Sequence, residues 1–214
     1  MTGVNTMNFL RKYWQDAGAI IGVIVCIGLL MNRAIFSDIT GILWLSFVAI
    51  LFHQFEEYRW PGYFAGLFNN VMFKSETPDR YPLNTQSAMI INVLIAYVFY
   101  LLPILFPRVV WLGLAPVFMG FFQVVWHGIV VNIKAKTLYN PGLLTAVLVH
   151  VPVGIWYIHD IVEYNAPALT DWIWGTIYFA FAVYIFIIKG NMWLKNSNSP
   201  YPFSQQQLGS YYRK

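Results

Sequence analysis

The residues whose types and spacing best suit chemistry are a histidine and two glutamates in the run His53-Gln54-Phe55-Glu56-Glu57. On an α-helix, Glu56 lies about 60° to one side of His53 and Glu57 about 40° to the other. One imidazole and two carboxylates therefore share one helical face. Such a set can bind a divalent metal or transfer protons to and from a substrate. We predict catalytic roles for His53, Glu56 and Glu57.

Polar side chains on three further predicted helices lie at a similar depth. At a rise of about 1.5 Å per residue, His53, His127 and His150 lie about 9 to 13 Å from the nearest helix boundary. Asn92 lies at most about 15 Å deep. Ionisable groups at membrane depth normally face the bundle interior or a wet cavity, so we expect one polar pocket. Its predicted metal ligands are His53, Glu57, His127 and His150. Its predicted substrate-binding residues are Asn92, Gln123, Trp126 and Asn140.

The local sequence also predicts how two of these residues act. Gln123 precedes His127 by one helical turn, so we expect it to orient that imidazole. Asn140 and Pro141 are predicted as the N-cap and first residue of the fifth helix. The N–H groups of such a helix start can hold an anionic substrate group, which is why Asn140 is placed among the substrate-binding residues.

The elements that position these residues must be membrane helices. Of 214 residues, 58% are hydrophobic and 10% are charged, and the mean hydropathy is +0.56. Soluble domains carry about 25% charged residues, which they need to cover their surface. This composition excludes a water-soluble enzyme, a disordered protein and a disulfide scaffold. The single cysteine, Cys26, excludes an intrachain disulfide and a thiolate cluster.

Six segments are apolar and long enough to span a bilayer, since a spanning helix needs about 20 residues. They cover residues 17–36, 39–58, 86–106, 109–133, 141–158 and 171–188. The sequence thus predicts an all-α integral membrane bundle of about six transmembrane helices. We expect a single domain over residues 1–195, followed by a flexible cytoplasmic tail over residues 196–214 that is rich in Ser, Asn, Gln and Pro.

The distribution of basic residues predicts the orientation of the bundle. Cytoplasmic loops of membrane proteins carry an excess of Lys and Arg. With both termini cytoplasmic, the external side holds only Arg33 and Arg108. The other eleven basic residues are then cytoplasmic: Arg11, Lys12, Arg59, Lys74, Arg80, Lys134, Lys136, Lys189, Lys195, Arg213 and Lys214. We therefore expect both termini to be cytoplasmic, in a cytoplasmic or inner membrane, and we interpret the net charge of +4 as membrane topology rather than nucleic-acid binding.

The run from His53 to Glu57 resembles the signature of the HXXEE family of small multi-spanning membrane proteins, which have no assigned function. The resemblance extends to the short polytopic layout, the early helix that carries the motif, and Tyr139-Asn140-Pro141-Gly142 further along the chain. The family name implies no reaction, so the chemistry must come from the residues.

Three functions fit these residues. In the first, one divalent metal (zinc, iron or manganese) is held by His53 and Glu57 with His127 or His150, and Glu56 is the general base in hydrolysis of a lipid-soluble substrate. This arrangement is similar to the inverted zinc motif His-x-x-Glu-His. In the second, no cofactor is present and His and Glu transfer protons in an isomerase, which would resemble the membrane sterol isomerases. The third is a small-molecule or proton-coupled transporter. We favour an enzyme whose partners are the lipid bilayer and a lipid-soluble molecule.

Overall fold

The computed structural model describes residues 2–32, 34–35 and 38–211. In this part of the chain six helices are long and apolar enough to cross a membrane. The protein is therefore an all-helical, multi-pass membrane bundle, as its composition predicts. The spanning helices are α1 (Thr6–Met31), α2 (Ile39–Tyr58), α3 (Thr85–Leu105), α4 (Val110–Ala135), α5 (Leu143–Asn165) and α6 (Leu169–Leu194).

Four residues that the sequence predictions used lie outside the described part of the chain. Phe36 is the predicted end of the first span, and Arg33, Arg213 and Lys214 belong to the charge count. The observed α1 ends at Met31, and α2 begins at Ile39.

α2 is the central helix of the bundle. In its apolar stretch of 18 residues, 72% of the residues are buried, whereas the corresponding share in α6 is 17%. Asp38 caps its N-terminus by accepting a hydrogen bond from the backbone N–H of Thr40. α2 packs against α1, α3, α4 and α5, so its polar residues are surrounded by protein instead of lipid. Four of them are buried near its end: His53, Gln54, Glu56 and Glu57.

Three of the helices around α2 contain a wider, π-helical turn at the level of these residues. The turns are Ile90–Ile95 in α3, Trp126–Val131 in α4 and Ala146–His150 in α5. They contain Asn92, His127 and His150, respectively. A π-helical turn inserts an extra residue into the helix and often occurs at functional sites. Further π-helical turns occur at Ile161–Asn165 in α5 and Tyr184–Lys189 in α6, so such turns are not confined to the level of these residues.

The C-terminal segment, for which the composition predicts a flexible tail, has contacts with the bundle in the described chain. Phe203 and Leu208 are 5% and 0% exposed and belong to the core near the end of α2. The backbone N–H of Phe203 donates to the carbonyl of Asp79 at 2.7 Å, and Asn70 donates to the carbonyl of Tyr211 at 2.6 Å. Two apolar side chains within a polar stretch thus pack on the bundle, and the flexibility of the tail stays a prediction.

The segment 64–72 carries the other side of this contact. It is helical, and it buries Phe64, Leu67 and Phe68 against the end of the bundle. Gly66 lies so close to the tail that a Cβ there would be 2.2 Å from the carbonyl oxygen of Leu208. The helical segment and the tail together therefore cover the end of the bundle next to the buried polar residues of α2.

Candidate metal centre and its neighbouring cavity

His53, Glu57 and His127 meet inside the bundle. The Nε2 atom of His127 lies 3.4 Å from Oε1 of Glu57, and Nε2 of His53 lies 3.8 Å from the same oxygen. One ligand atom from each residue lies within 4.8 Å of the other two. The side chains of the two histidines are 1% and 0% exposed. The structure thus brings together three of the four predicted metal ligands.

A hydrogen bond fixes which nitrogen of His53 carries its proton. Nδ1 of His53 is 3.0 Å from Oγ1 of Thr145. The Thr145 hydroxyl donates its own hydrogen to Oε2 of Glu56 at 2.5 Å, so it acts as an acceptor toward the imidazole. His53 therefore donates from Nδ1 and holds a lone pair on Nε2 when the ring is neutral.

Asn140 fixes the proton of His127 in the same way. Its Nδ2 donates to the backbone carbonyl of His127 at 2.7 Å and to Oδ1 of Asn132 at 2.8 Å. This orientation leaves Oδ1 of Asn140 as the acceptor facing Nδ1 of His127, at 2.6 Å. His127 therefore donates from Nδ1 and, when the ring is neutral, holds a lone pair on Nε2. Asn140, rather than Gln123, is the residue that orients this imidazole.

Glu56 lies beside the two histidines but is fully occupied with the start of α5. Its Oε1 accepts hydrogen bonds from the Tyr139 hydroxyl at 2.9 Å and from the backbone N–H of Leu144 at 3.1 Å. Its Oε2 accepts from the backbone N–H of Thr145 at 2.8 Å and from the Thr145 hydroxyl. A carboxylate has about four lone-pair sites, and all four are used. The geometry therefore gives Glu56 an anchoring position, whereas the sequence suggested a general base.

The Tyr139 hydroxyl stays protonated and can donate its hydrogen bond to Glu56 at neutral pH. Burial and the hydrogen bond to the Glu56 carboxylate raise the pKa of the Tyr139 hydroxyl. The phenol consequently keeps its proton at neutral pH.

The start of α5 differs from the prediction that Asn140 is its N-cap and Pro141 its first residue. The helix begins at Leu143 and its N-cap is Gly142, which has a φ of 103°. A Cβ at Gly142 would lie 2.4 Å from Cε1 of His127. Glycine is thus required at this position for two reasons: the backbone is left-handed, and the imidazole of His127 lies too close for a side chain. The Asn140 side chain binds His127 and does not cap the helix. The carboxylate of Glu56 instead accepts hydrogen bonds from the first N–H groups of α5.

His150 lies beside the three-residue group but is not part of it. Its ring centroid is 5.4 Å from that of His53, and its Nε2 is buried without a hydrogen-bond partner among the described residues. A Cβ at Gly120 would be 2.8 Å from Nδ1 of His150, so Gly120 makes room for this ring. His150, the fourth predicted ligand, therefore lies next to the group of His53, Glu57 and His127 but does not belong to it.

A cavity of about 110 Å³ adjoins Glu57 on the side facing α3, α4 and α6. Its wall contains three of the four predicted substrate-binding residues: Asn92, Gln123 and Trp126. Asn140 does not line it. Two polar atoms in the wall, the hydroxyl of Tyr100 and Oδ1 of Asn191, are buried without a hydrogen-bond partner in the described chain. The remaining wall is mainly apolar, with side chains such as Ile50, Phe68, Met119 and Phe186.

Sequence reasoning missed the roles of Thr145 and Tyr139. Thr145 links His53 to Glu56, and Tyr139 is a donor to Glu56. The run Tyr139-Asn140-Pro141-Gly142 was visible in the sequence, but only as a helix start. Thr145 has no distinguishing signal, because a threonine in the first turn of a membrane helix is ordinary.

Comparison with known proteins agrees with the motif. A family model described as "Protein of unknown function with HXXEE motif" matches residues 44–157. No curated protein and no solved structure matches the chain. The matched region covers more than half of the sequence and contains His53, Glu57, His127 and Asn140. The chain therefore belongs to the HXXEE family, whose function is unknown.

Proposed function

We propose that this protein is a membrane-embedded metalloenzyme in which His53, Glu57 and His127 hold one divalent transition metal. The observation that carries the proposal is the hydrogen bonding of the two imidazoles. Both histidines donate from Nδ1 to fixed protein acceptors, and both leave Nε2 without a hydrogen-bond partner in the described chain. Metal-binding histidines commonly show this pattern, in which an outer partner fixes the tautomer.

The group also needs a cation or proton at its centre. When both rings are neutral, two imidazole lone pairs and a carboxylate oxygen face one another in a buried space, and none of the three atoms brings a hydrogen. Such acceptors repel unless a positive charge lies between them. Ligand atoms about 2.0–2.1 Å from a tetrahedral ion lie about 3.3 Å from one another. The separation of 3.4 Å between Glu57 and His127 is close to that spacing, the 3.8 Å between Glu57 and His53 is longer, and all three ligand atoms lie within 4.8 Å of one another.

The ligand types support catalysis at such a metal. Two histidines and one carboxylate form the set found in catalytic zinc sites and in non-haem iron sites, which keep a position open for water or substrate. Zinc, iron and manganese all accept it. We propose hydrolysis by a metal-activated water as the reaction. Glu57 lies next to both histidines and also lines the apolar cavity. Because the wall of that cavity is mainly apolar, the substrate class that fits is a lipid-soluble molecule.

Proton transfer without a metal is a second candidate, and the position of Glu57 favours it. Glu57 is 7% exposed, lines the apolar cavity and lies 3.4 Å from Nε2 of His127. A carboxylate and an imidazole that share a proton next to a substrate cavity can act as acid and base in an isomerase.

Elemental analysis of the full chain, purified without a histidine tag, tests the metal centre. We expect stoichiometric zinc, iron or manganese in the wild type and its loss in Glu57→Gln and His127→Ala. His159→Ala is the matched control, because His159 is exposed and lies outside the group. A folded protein that lacks metal yet converts a membrane lipid would replace hydrolysis with proton transfer. Flux of an ion across liposomes without turnover would establish transport instead.

We also propose that both termini are cytoplasmic. The support is the charge imbalance of eleven basic residues against two. Reporter fusions at Gly62, Lys134 and Asn196 should be cytoplasmic, and a fusion at Asn165 should be external. The reverse pattern would refute the orientation without affecting the metal centre.

A further inference from the structure

A second cavity lies at the end of the bundle that carries both termini. It has a volume of about 420 Å³ and is enclosed by the first turns of α1, the end of α2 and the C-terminal segment. Three basic residues line it: Arg11, Lys12 and Arg59. No aspartate or glutamate is among its lining residues in the described chain. A concave surface with one sign of charge concentrates ions of the opposite sign.

Arg11 is held in one orientation within this cavity. Its Nε donates to Oε1 of Gln86, and its Nη1 donates to Oδ1 of Asn8 at 2.8 Å. The guanidinium carbon lies 4.0 Å from the ring centroid of Tyr201. Stacking and hydrogen bonding fix the plane of the guanidinium before any ligand arrives. A fixed guanidinium plane is suited to paired hydrogen bonds with phosphate oxygens.

The positive charges of the cavity are only partly neutralised. Arg59 forms an ion pair with Asp16, at 2.8 Å. Among the described residues no carboxylate forms an ion pair with Arg11 or Lys12. The cavity therefore keeps about two uncompensated positive charges, which favour a ligand with an anionic group.

We propose that this cavity binds a phosphate group, supplied by an anionic phospholipid headgroup or by a water-soluble phosphate. The membrane location of the cavity favours the lipid as the source. Phe9 and Leu10, in the same turns of α1, are 62% and 43% exposed, which suits contact with acyl chains, while Arg11 and Lys12 line the cavity. The proposal is independent of the metal centre, since no residue of that group lines this cavity.

The test uses the full chain in a neutral detergent, and native mass spectrometry to measure binding. The probes are phosphatidylglycerol, phosphatidylcholine of the same chain length, and inorganic phosphate. Each basic residue near an anionic headgroup contributes about 5-fold in affinity. We expect Lys12→Gln to weaken binding of phosphatidylglycerol about 5-fold, and Arg11→Gln by at least as much. Lys195→Gln is the control, because Lys195 is exposed and does not line the cavity.

The outcomes separate the two sources and can overturn the proposal. Preference for phosphatidylglycerol over phosphatidylcholine, lost in Lys12→Gln but kept in Lys195→Gln, supports the lipid source. Binding of inorganic phosphate that is sensitive to Lys12→Gln, without preference between the two lipids, supports the soluble source. Equal affinities in the wild type and Lys12→Gln, or equal losses in Lys12→Gln and Lys195→Gln, overturn the site. Lys12 makes no side-chain hydrogen bond in the described structure, so this variant should fold normally.

Discussion

Replacing Glu56 by glutamine should destabilise the fold, although the two side chains have nearly the same shape. Glu56 accepts four hydrogen bonds, two on each oxygen. A glutamine keeps one oxygen, and its NH2 group faces the donors that the other oxygen had bound. One of those donors is a backbone N–H, from Leu144 or Thr145, which cannot reverse its direction. The substitution therefore removes two hydrogen bonds to a charged acceptor and opposes one fixed donor.

The magnitude follows from these contacts. A hydrogen bond to a charged group contributes about 1.5–3 kcal/mol. Loss of two such bonds lowers the free energy of unfolding by about 3 kcal/mol, taking the lower limit because Thr145 and Tyr139 are partly exposed. For a chain of this size, 1 kcal/mol corresponds to a change in Tm of about 2–4 °C. We expect the Tm of Glu56→Gln in detergent to fall by about 6–12 °C.

The neighbouring substitution Glu57→Gln is the matched comparison. Glu57 faces two imidazole lone pairs, so the NH2 group of a glutamine can donate to Nε2 of His53 or His127. We expect its Tm to equal or exceed that of the metal-free wild type, while bound metal is lost. Thermal denaturation and elemental analysis of the two variants should thus give opposite patterns.

One result would refute this assignment of the two glutamates. If Glu56→Gln keeps the wild-type Tm and bound metal but abolishes turnover, Glu56 is a general base and not the anchor of α5. If Glu57→Gln loses as much stability as Glu56→Gln, Glu57 has structural hydrogen bonds that the arrangement of His53 and His127 does not provide.

Three further substitutions test other parts of the arrangement. Asn140→Ala removes the acceptor that orients His127, and we expect metal affinity, measured by chelator competition, to fall about 10- to 100-fold with the bundle intact. Gly142→Ala places a Cβ against His127 at a left-handed φ, so thermal denaturation should show a loss of about 2 kcal/mol or more. Leu208→Ala truncates a fully buried side chain of the core near the end of α2, so stability should fall by about 2–5 kcal/mol and limited proteolysis should cut the tail faster. An unchanged cleavage rate would mean that the tail is flexible.

The spanning helices were predictable because apolar length determines them. The predicted second span, 39–58, equals the observed α2 (Ile39–Tyr58), and the start of the third span differs by one residue. The contacts of the C-terminal tail were harder to predict. Its polar composition predicts flexibility, but it does not predict that Phe203 and Leu208 pack against a surface at Phe64 and Gly66. That surface exists only after the chain has folded, so composition alone cannot indicate it.

The candidate site was predictable in its members and not in their roles. Depth along each helix placed His53, His127 and His150 at one level, and the structure brings their rings together. Depth does not determine rotation about each helix axis. His150 therefore lies beside the group instead of contributing a ligand atom. Gln123 faces the cavity, whereas Asn140 reaches His127 from a loop.

The two adjacent glutamates show why residue type alone could not assign a function. Glu56 and Glu57 are both buried at the end of the same helix, about 100° apart on its surface. One of them meets the N–H groups at the start of α5, and the other meets two imidazole lone pairs. The first environment supplies donors and needs an anion, whereas the second supplies acceptors and needs a cation or a proton. The difference arises from α5, whose glycine-dependent start at Gly142 brings its N-terminus to Glu56 alone. The chemistry of the motif is therefore determined by a segment about 90 residues later in the chain, and a substitution at Gly142 should affect the site as strongly as one within the motif.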